Sequence, residues 1–148
     1  MSGETMTGGC MCGRIRYSVR IADDEAYLCH CRMCQRSSGN VSLAMKSVKK
    51  ADVVWDHEPD RYRSSPIAER GFCSRCGTSL TFAYMDGDPM DLLVGSFDDP
   101  GRFRPVSHFG AESMHRAWLN TEGLEEIRSD EHQSLVDRWM KSVGKLPD

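Results

Sequence analysis

The chain has 148 residues and a net charge of −3, with 39% hydrophobic and 28% charged residues. This balance is ordinary for a soluble globular protein, and the length predicts one domain spanning residues 1–148. The charge argues against an obligate nucleic-acid binder, which normally carries a basic stripe or tail. No apolar run approaches the roughly 18 residues of a membrane span, so no membrane partner is expected.

The first nine residues are predicted to be a flexible start. They contain neither a basic n-region nor an apolar h-region, so they do not resemble a secretory signal. We therefore expect the cytoplasm, a reducing compartment. Grouped cysteines there bind metal more often than they form disulfides.

Short segments of alternating polar and apolar residues predict strands along most of the chain. These segments are residues 14–21, 26–28, 41–45, 53–55, 60–63, 79–84, 90–97 and 105–109. Residues 36–40 are polar and contain a glycine, which favours a knuckle or short helical turn followed by a loop. Many short strands separated by turns predict a mostly β domain.

The last part of the chain differs, because its apolar residues recur at helical spacing. They are Leu135, Val136, Trp139, Met140 and Val143. Asp130 is the predicted N-cap and Gly144 the predicted end of this helix. We interpret the apolar stripe as core packing and assign it no chemistry.

All seven cysteines lie in three short groups: Cys10 and Cys12; Cys29, Cys31 and Cys34; Cys73 and Cys76. Clustered thiols are reactive or metal-bound more often than they serve packing. A disulfide framework would leave one of seven thiols unpaired, whereas one site with four ligands and one with three uses them all.

The outer two groups predict a closed zinc site. Four thiolates saturate a tetrahedral zinc ion without leaving an open position. Gly13 and Gly77 follow the two cysteine pairs, and glycine there allows a sharp backbone turn that points amides at the sulfurs. Such a site contributes directly to the free energy of folding.

The middle group has too few thiolates to saturate a tetrahedral ion, which is the pattern of a catalytic zinc with an open fourth position. Two alternatives remain. A histidine (His30, His108 or His115) closes the site and makes it structural, or the C-x-x-C at 31–34 forms part of a metal-free redox group.

The chain resembles the glutathione-dependent formaldehyde-activating enzyme family, which includes centromere-protein-V-like members. The resemblance rests on C-x-C-G-x-x-x-Y at 10–17, C-H-C-x-x-C at 29–34 and G-F-C-x-x-C-G-x-x-L at 71–80, with His108 and Trp118 in a looser later pattern. It implies a β-tent fold, a structural zinc at Cys10, Cys12, Cys73 and Cys76, and a catalytic zinc at Cys29, Cys31 and Cys34. The implied activity is carbon–sulfur lyase chemistry that forms or cleaves S-hydroxymethylglutathione.

These features suggest an enzyme of thiol adducts, with glutathione or a similar thiol as co-substrate and formaldehyde or another small aldehyde as its partner. His108 is the candidate proton shuttle, Arg32 and Arg36 are candidates to bind ligand carboxylates, and Trp118 is a candidate pocket wall. A simpler interpretation is that the arginines near the cysteines offset the negative charge of the thiolates. These arginines are Arg14, Arg16, Arg32, Arg36 and Arg75. The alternative function is a non-catalytic, zinc-stabilised β-tent binding module, which an exposed apolar surface beside 29–34 would favour.

Overall fold

The structure, a computed structural model, describes residues 3–147. Over that span the chain forms ten strands in two sheets and two α-helices. The strands are β1 (Glu4–Gly9), β2 (Arg16–Ile21), β3 (Glu25–Cys29), β4 (Leu43–Lys49), β5 (Val53–Trp55), β6 (Asp60–Tyr62), β7 (Ala68–Phe72), β8 (Ser79–Tyr84), β9 (Pro89–Leu93) and β10 (Arg104–Phe109), and the helices are α1 (Arg32–Ser38) and α2 (Gln133–Ser142). The mostly β fold class and the C-terminal helix predicted from the sequence are confirmed.

The described chain divides into two compact units, one ending at His115 and the other beginning at Arg116. The first unit holds all ten strands, α1 and the seven cysteines, and the second holds α2. A single domain spanning residues 1–148 stays a prediction. Within residues 3–147, neither α-helix has the length and apolar character needed to traverse a bilayer.

The two sheets differ in size and in the direction of pairing. The smaller sheet has the order β1–β2–β5 and is antiparallel. The larger has the order β10–β3–β4–β9–β8–β7–β6 and is antiparallel except where β10 lies parallel to β3. A parallel neighbour requires a long crossover connection, so β10 brings a late part of the chain beside an early one.

Alternation along the strands explains how the two sheets pack. In β2, Tyr17, Val19 and Ile21 point inward and are at most 5% exposed, whereas Arg20 between them is exposed. These side chains belong to a core that both sheets share, together with Met6, Val53, Ala83, Met90, Leu92 and Phe97. The apolar contact between the sheets is the main source of stability for this part of the fold.

The N-terminal segment is ordered into β1, so the prediction of a flexible start is wrong. All six residues of β1 pair with β2, from Glu4 opposite Ile21 to Gly9 opposite Arg16. Met6 is the apolar anchor of the strand and is 8% exposed. A single apolar side chain among threonines and glycines leaves little alternation to detect in the sequence.

Several strand boundaries differ from those predicted. The segments predicted at 41–45 and 90–97 are β4 (Leu43–Lys49) and β9 (Pro89–Leu93). Strand β9 ends early because the chain turns into a 3₁₀ helix at Val94–Ser96. There the Ser96 hydroxyl donates to the Leu93 carbonyl at 2.7 Å and shares a 2.8 Å hydrogen bond with the Tyr17 hydroxyl.

The C-terminal helix forms, but its cap and its apolar stripe differ from the prediction. Its N-cap is His132, without a side-chain capping bond, while Asp130 lies in the preceding 3₁₀ helix and accepts from Arg128. Gly144 follows the helix with a φ of +80°, as expected of a residue that ends it. No residue of α2 is buried, and Met140 is 51% exposed. The predicted core packing is therefore not found in the described residues, where Leu135, Val136 and Trp139 are only half-buried.

Gly8 of β1 lies where no side chain fits, and this predicts a specific loss of stability. A Cβ at this position would come within 2.5 Å of the Ser96 carbonyl oxygen and would also meet the Tyr17 hydroxyl. We expect Gly8→Ala to lower the free energy of unfolding by about 1–3 kcal/mol, the usual range for overpacking. Gly95→Ala is the matched control, since nothing lies within 4 Å of its added methyl group. Equal denaturant midpoints for the two variants would contradict this account.

Candidate functional site

Cys10, Cys12, Cys73 and Cys76 form what we call the four-cysteine group. The first two follow β1, and the other two lie in the turn between β7 and β8. All four sulfurs lie within 4.8 Å of one another, with 3.6 Å from Cys10 to Cys12 and 3.8 Å from Cys12 to Cys73. Zinc–thiolate bonds of about 2.3 Å in a tetrahedron place sulfurs about 3.8 Å apart. The group therefore fits a zinc ion.

Two glycines shape the turns of this group. Gly13 and Gly77 have φ values of +80° and +79°, in the left-handed region that favours glycine. The Gly77 amide donates to the Cys73 carbonyl at 2.7 Å and so closes the turn. The amide that points at the Cys10 sulfur is that of Ile15, at 3.3 Å. The expected sharp turns are present.

Positive charge and a hydroxyl surround the sulfurs. Arg14 lies 3.6 Å from the Cys73 sulfur while it also pairs with Asp60 at 2.7 Å, and Arg75 Nε lies 3.2 Å from the Cys12 sulfur. The side chain of Thr78 contacts Cys76 at 3.2 Å. This hydrogen bond is the main reason why the pKa of Cys76 is lowered to about 5. Arg14 and Arg75 are therefore in position to offset thiolate charge, which is one of the two roles expected of the arginines. Arg16 pairs with Asp98 instead.

Cys29, Cys31 and Cys34 form the three-cysteine group. Cys29 ends β3, Cys31 is the N-cap of α1 and accepts from the Cys34 amide at 3.3 Å, and Cys34 lies in the first turn of that helix. The three sulfurs lie within 4.8 Å of one another. Three soft thiolate donors suit zinc, and a tetrahedral ion held there needs a fourth ligand.

No histidine joins these sulfurs within the described residues. The ligand atoms within 4.8 Å of one another are the three sulfurs alone. His30 is fully buried, and its ring is turned to His108, with 2.8 Å between His30 Nε2 and His108 Nδ1. His115 is exposed. The geometry of residues 3–147 therefore does not support the alternative in which a histidine closes the site.

Strand β10 and the residue that follows it pack against the segment that carries the three-cysteine group. The His30 amide donates to the Phe109 carbonyl at 2.8 Å. Gly110, with a φ of +68°, packs so closely that a Cβ there would lie 2.8 Å from the Cys31 amide nitrogen. The parallel pairing of β10 with β3 thus places His108 opposite Leu28, the residue that precedes Cys29.

A cavity of about 490 Å³ opens onto the three-cysteine group, and we call it the site cavity. His108 lines it, as do the side chains of one face of the larger sheet. Cross-strand pairing places these in a row, from Arg70 to Phe82 to Asp91 to Ser47. The floor of the site cavity therefore carries one positive and one negative charge with an aromatic ring between them.

Arg70 is a functional candidate that the sequence analysis missed. It is only 8% exposed, its guanidinium lies over the Phe82 ring at 4.9 Å, and its Nη2 is 3.5 Å from the Cys34 sulfur. The pKa of Cys34 is lowered to about 5, first by a hydrogen bond from Cys29 and then by Arg70. The available signal was the alternation of β7, which places Arg70 on the same face as the buried Ala68.

Tyr27 and Asp91 were also missed. The Tyr27 hydroxyl donates to Asp91 Oδ2 at 2.9 Å, and the Ser47 hydroxyl donates to Asp91 Oδ1 at 2.6 Å. Burial raises the pKa of Tyr27 well above its usual value, so the phenol keeps its proton. These residues lie on three different strands, and only the sheet register shows that they are neighbours.

Arg32 and Arg36 are not among the residues that line the site cavity. The Arg32 guanidinium donates to Gln35 of its own helix. Arg36 lines a neighbouring cavity of about 650 Å³, which shares Met33 and Arg70 with the site cavity. Trp118 lies in the second unit and is 70% exposed. The roles of Arg32, Arg36, Trp118 and His108 stay predictions.

Residues 5–113 match the family model described as glutathione-dependent formaldehyde-activating enzyme. The matched region contains both cysteine groups, Arg70, Asp91 and His108. It ends before Trp118, so the match does not extend to that residue.

Two curated relatives and one solved structure are similar to the chain. An uncharacterized lyase of Schizosaccharomyces pombe is 35% identical over 80 residues, which cover 54% of this chain and 58% of the relative. A putative glutathione-dependent formaldehyde-activating enzyme of Halomonas elongata is 30% identical over 87 residues, which cover 51% of this chain and 54% of the relative. The chain therefore spans little more than half the length of these relatives. A Rhodobacter sphaeroides protein of known crystal structure shares the fold at 19% identity, with a TM-score of 0.57 over 70% of this chain and 99% of that one.

The four-cysteine group predicts a metal-dependent fold. We expect Cys73→Ser to lose one zinc ion per chain and to unfold or aggregate, because metal binding of this kind is folding free energy. Zinc content by mass spectrometry and thermal unfolding provide the measurement. Met11→Ala, at an 83% exposed position between two ligands, is the control and should retain both the metal and the melting temperature. A stable, folded Cys73→Ser chain would contradict this role.

The contact between Arg70 and Cys34 predicts a pH dependence. The pKa of Cys34 is lowered in the folded state from 9.0 to about 5. Its thiolate therefore contributes stability that is fully present above pH 9.0 and is lost as the pH falls through 5. Removal of the Arg70 charge raises this pKa, so Arg70→Gln should release metal from the three-cysteine group at a higher pH than wild type.

Zinc release to a chromogenic chelator across a pH series measures this effect. Arg61→Gln is the control, because Arg61 pairs with Glu58 and Glu69 and contacts neither group. The four-cysteine group serves as an internal reference. Identical release curves for wild type and Arg70→Gln would show that Arg70 does not stabilise the thiolate.

Proposed function

The chain belongs to the glutathione-dependent formaldehyde-activating enzyme family, and from that premise we propose that it is a zinc-dependent carbon–sulfur lyase. Its proposed substrates are adducts of glutathione, or of a similar thiol, with formaldehyde or another small aldehyde. The observation that carries the proposal is the three-cysteine group, which lacks a fourth protein ligand within residues 3–147 and opens onto a cavity.

Two zinc ions with different duties are part of the proposal. Cys10, Cys12, Cys73 and Cys76 would saturate an ion at the four-cysteine group, which would stabilise the fold. An ion at the three-cysteine group would supply a Lewis-acid position at which the substrate thiol binds as a thiolate. A reducing compartment such as the cytoplasm keeps these seven thiols available as ligands.

His108 is the residue that moves the displaced proton in this proposal. When a thiol adds to an aldehyde, the sulfur–carbon bond forms, the carbonyl bond opens to an oxyanion, and the thiol proton must reach that oxygen. His108 is one of the residues that line the site cavity, and its ring is held by a 2.8 Å hydrogen bond to His30. It can take up this proton and return it, and in cleavage it acts in the reverse direction.

Arg70 is placed to compensate charge during the same step. The three-cysteine group gathers thiolates in a buried region, and an arriving substrate thiolate adds one more negative charge. The Arg70 guanidinium reaches the Cys34 sulfur from within the sheet, and its burial strengthens the attraction. Arg36, in the neighbouring cavity, remains a candidate to bind a substrate carboxylate.

One observation favours the alternative of a non-catalytic binding module. Apolar side chains rim the site cavity and are exposed, with Met33 at 45%, Ile67 at 63% and Phe109 at 60%. Exposed apolar residues of this kind also occur at protein interaction sites. Binding of an added thiol to the metal distinguishes the two functions, because a non-catalytic binding module does not require a thiol ligand on its metal.

Cobalt substitution tests the proposed function. We expect millimolar glutathione to change the thiolate-to-cobalt absorption bands of the protein, because an outside sulfur joins the three-cysteine group. NMR exchange spectroscopy should then show faster interconversion of glutathione and S-hydroxymethylglutathione when the zinc protein is present. Unchanged cobalt bands would remove the proposal.

The same exchange assay tests His108. His108→Asn should slow the catalysed exchange by about 100-fold or more, as expected for loss of a general acid–base, and should leave both metals bound. His115→Asn is the matched control and should exchange at the wild-type rate. Full activity in His108→Asn would assign the proton transfer to another group.

A further inference from the structure

A cluster of Tyr27, Ser47 and Asp91, which we call the Asp91 cluster, lines the site cavity together with the three-cysteine group. We propose that this cluster binds a primary ammonium group of the thiol substrate, so that the site selects thiols of the amino-acid and peptide class. The inference rests on the proposed function, because it assumes a thiol held at the three cysteines. It adds the protein groups that recognise the rest of that thiol.

The hydrogen bonds of the cluster determine what it can accept. A hydroxyl group has one proton, and Tyr27 and Ser47 each donate theirs to a different oxygen of Asp91, at 2.9 Å and 2.6 Å. The Met45 sulfur lies 3.3 Å from the Tyr27 hydroxyl, but a thioether is the weaker acceptor. The oxygen atoms of the cluster therefore have lone pairs, but no protons, left to interact with a ligand in the cavity. A primary ammonium, with three donors and no acceptor, is the complementary group.

The charge of Asp91 has no protein counterpart in the described chain. No lysine or arginine among residues 3–147 forms an ion pair with this half-buried carboxylate. By contrast, the buried Lys46 on the next strand is paired with Asp23 at 2.6 Å. Partial burial of an unneutralised carboxylate costs free energy, and a ligand cation would offset that cost.

The sheet places the Asp91 cluster across the cavity floor from Arg70. Asp91 pairs with Phe82, and Phe82 pairs with Arg70, so the two charges lie on one face of the sheet and two strands apart. Two strand spacings amount to about 10 Å at the backbone. Arg70 stacks on the intervening Phe82 ring and reaches the Cys34 sulfur. The cavity therefore has an anionic end and a cationic end, and a ligand with a free ammonium can bind in only one orientation.

The distance from the cluster to the three-cysteine group limits the ligand. Tyr27 and Cys29 are alternate residues of β3 and face the same side. Their backbone separation is about 7 Å. A ligand with its thiol at the three-cysteine group and its ammonium at the Asp91 cluster must therefore have several bonds between the two groups. A peptide with a cysteine preceded by a residue that carries the free amino group has this spacing.

A matched pair of thiols tests the inference. Glutathione carries a free ammonium group, and N-acetylglutathione carries an uncharged acetamide in its place; isothermal titration calorimetry of the metal-loaded protein measures the affinity of each. We expect wild type to bind glutathione about ten- to a hundredfold more tightly, the usual range for a hydrogen bond to a charged group. In Asp91→Asn the ratio of the two dissociation constants should fall to nearly one, mainly because glutathione binds more weakly.

Asp86→Asn is the control variant, since Asp86 is exposed in the turn between β8 and β9 and lines none of the cavities described above. It should keep the wild-type preference. If Asp91→Asn does not fold, Tyr27→Phe provides the test, because it keeps the ring but removes one of the two hydroxyls. Its preference for the free ammonium should lie below that of wild type.

The possible outcomes separate this inference from the proposed function. If both thiols change the cobalt spectrum and bind wild type equally, the ammonium site is wrong while the thiol site stands. An undiminished preference in a folded Asp91→Asn protein also overturns it. If neither thiol changes the cobalt spectrum, the proposed function fails and the inference fails with it.

Discussion

Four sulfur atoms from chain segments some sixty residues apart meet at one point, and the position of the smaller sheet depends on that meeting. Cys10 and Cys12 continue from β1, whereas Cys73 and Cys76 belong to the larger sheet. A metal bound there would link the two sheets at one end, and the shared core that includes Tyr17 and Phe97 links them elsewhere. The three-cysteine group is built from the larger sheet and α1, so it can remain open to a ligand while the fold is held by its neighbour.

The two cysteine groups need different means of charge compensation because their surroundings differ. Arg14 and Arg75 approach the four-cysteine group from the surface, where solvent shares the charge. Arg70 approaches the three-cysteine group from within the sheet and is almost fully buried. A buried guanidinium is costly unless it is well partnered; here the Cys34 sulfur and the Phe82 ring are its partners. The arginine that matters to the candidate site is thus the one hidden in a strand.

The spacing of residues along the chain predicted the cysteine clusters. It did not predict the site residues that become neighbours only through the register of the larger sheet. Three short cysteine groups were enough to predict the two clusters of sulfurs that could hold a metal, because cysteines a few residues apart share a turn. Arg70 and Asp91 were missed, since they become neighbours of the three-cysteine group only through pairing across β7, β8 and β9. The pairing of β1 and the incomplete burial of the α2 stripe show the same limit, because pairing and burial depend on parts of the chain far away in sequence.

The parallel pairing of β10 with β3 has a consequence for the chronology of protein synthesis. Ribosomes add about 5–20 residues per second, so Cys76 emerges seconds before Gly110, which packs against Cys31. The four-cysteine group is complete while the three-cysteine group still lacks the wall that carries His108. The nascent chain can thus bring its four clustered sulfurs together before the cavity beside Cys29, Cys31 and Cys34 has been enclosed.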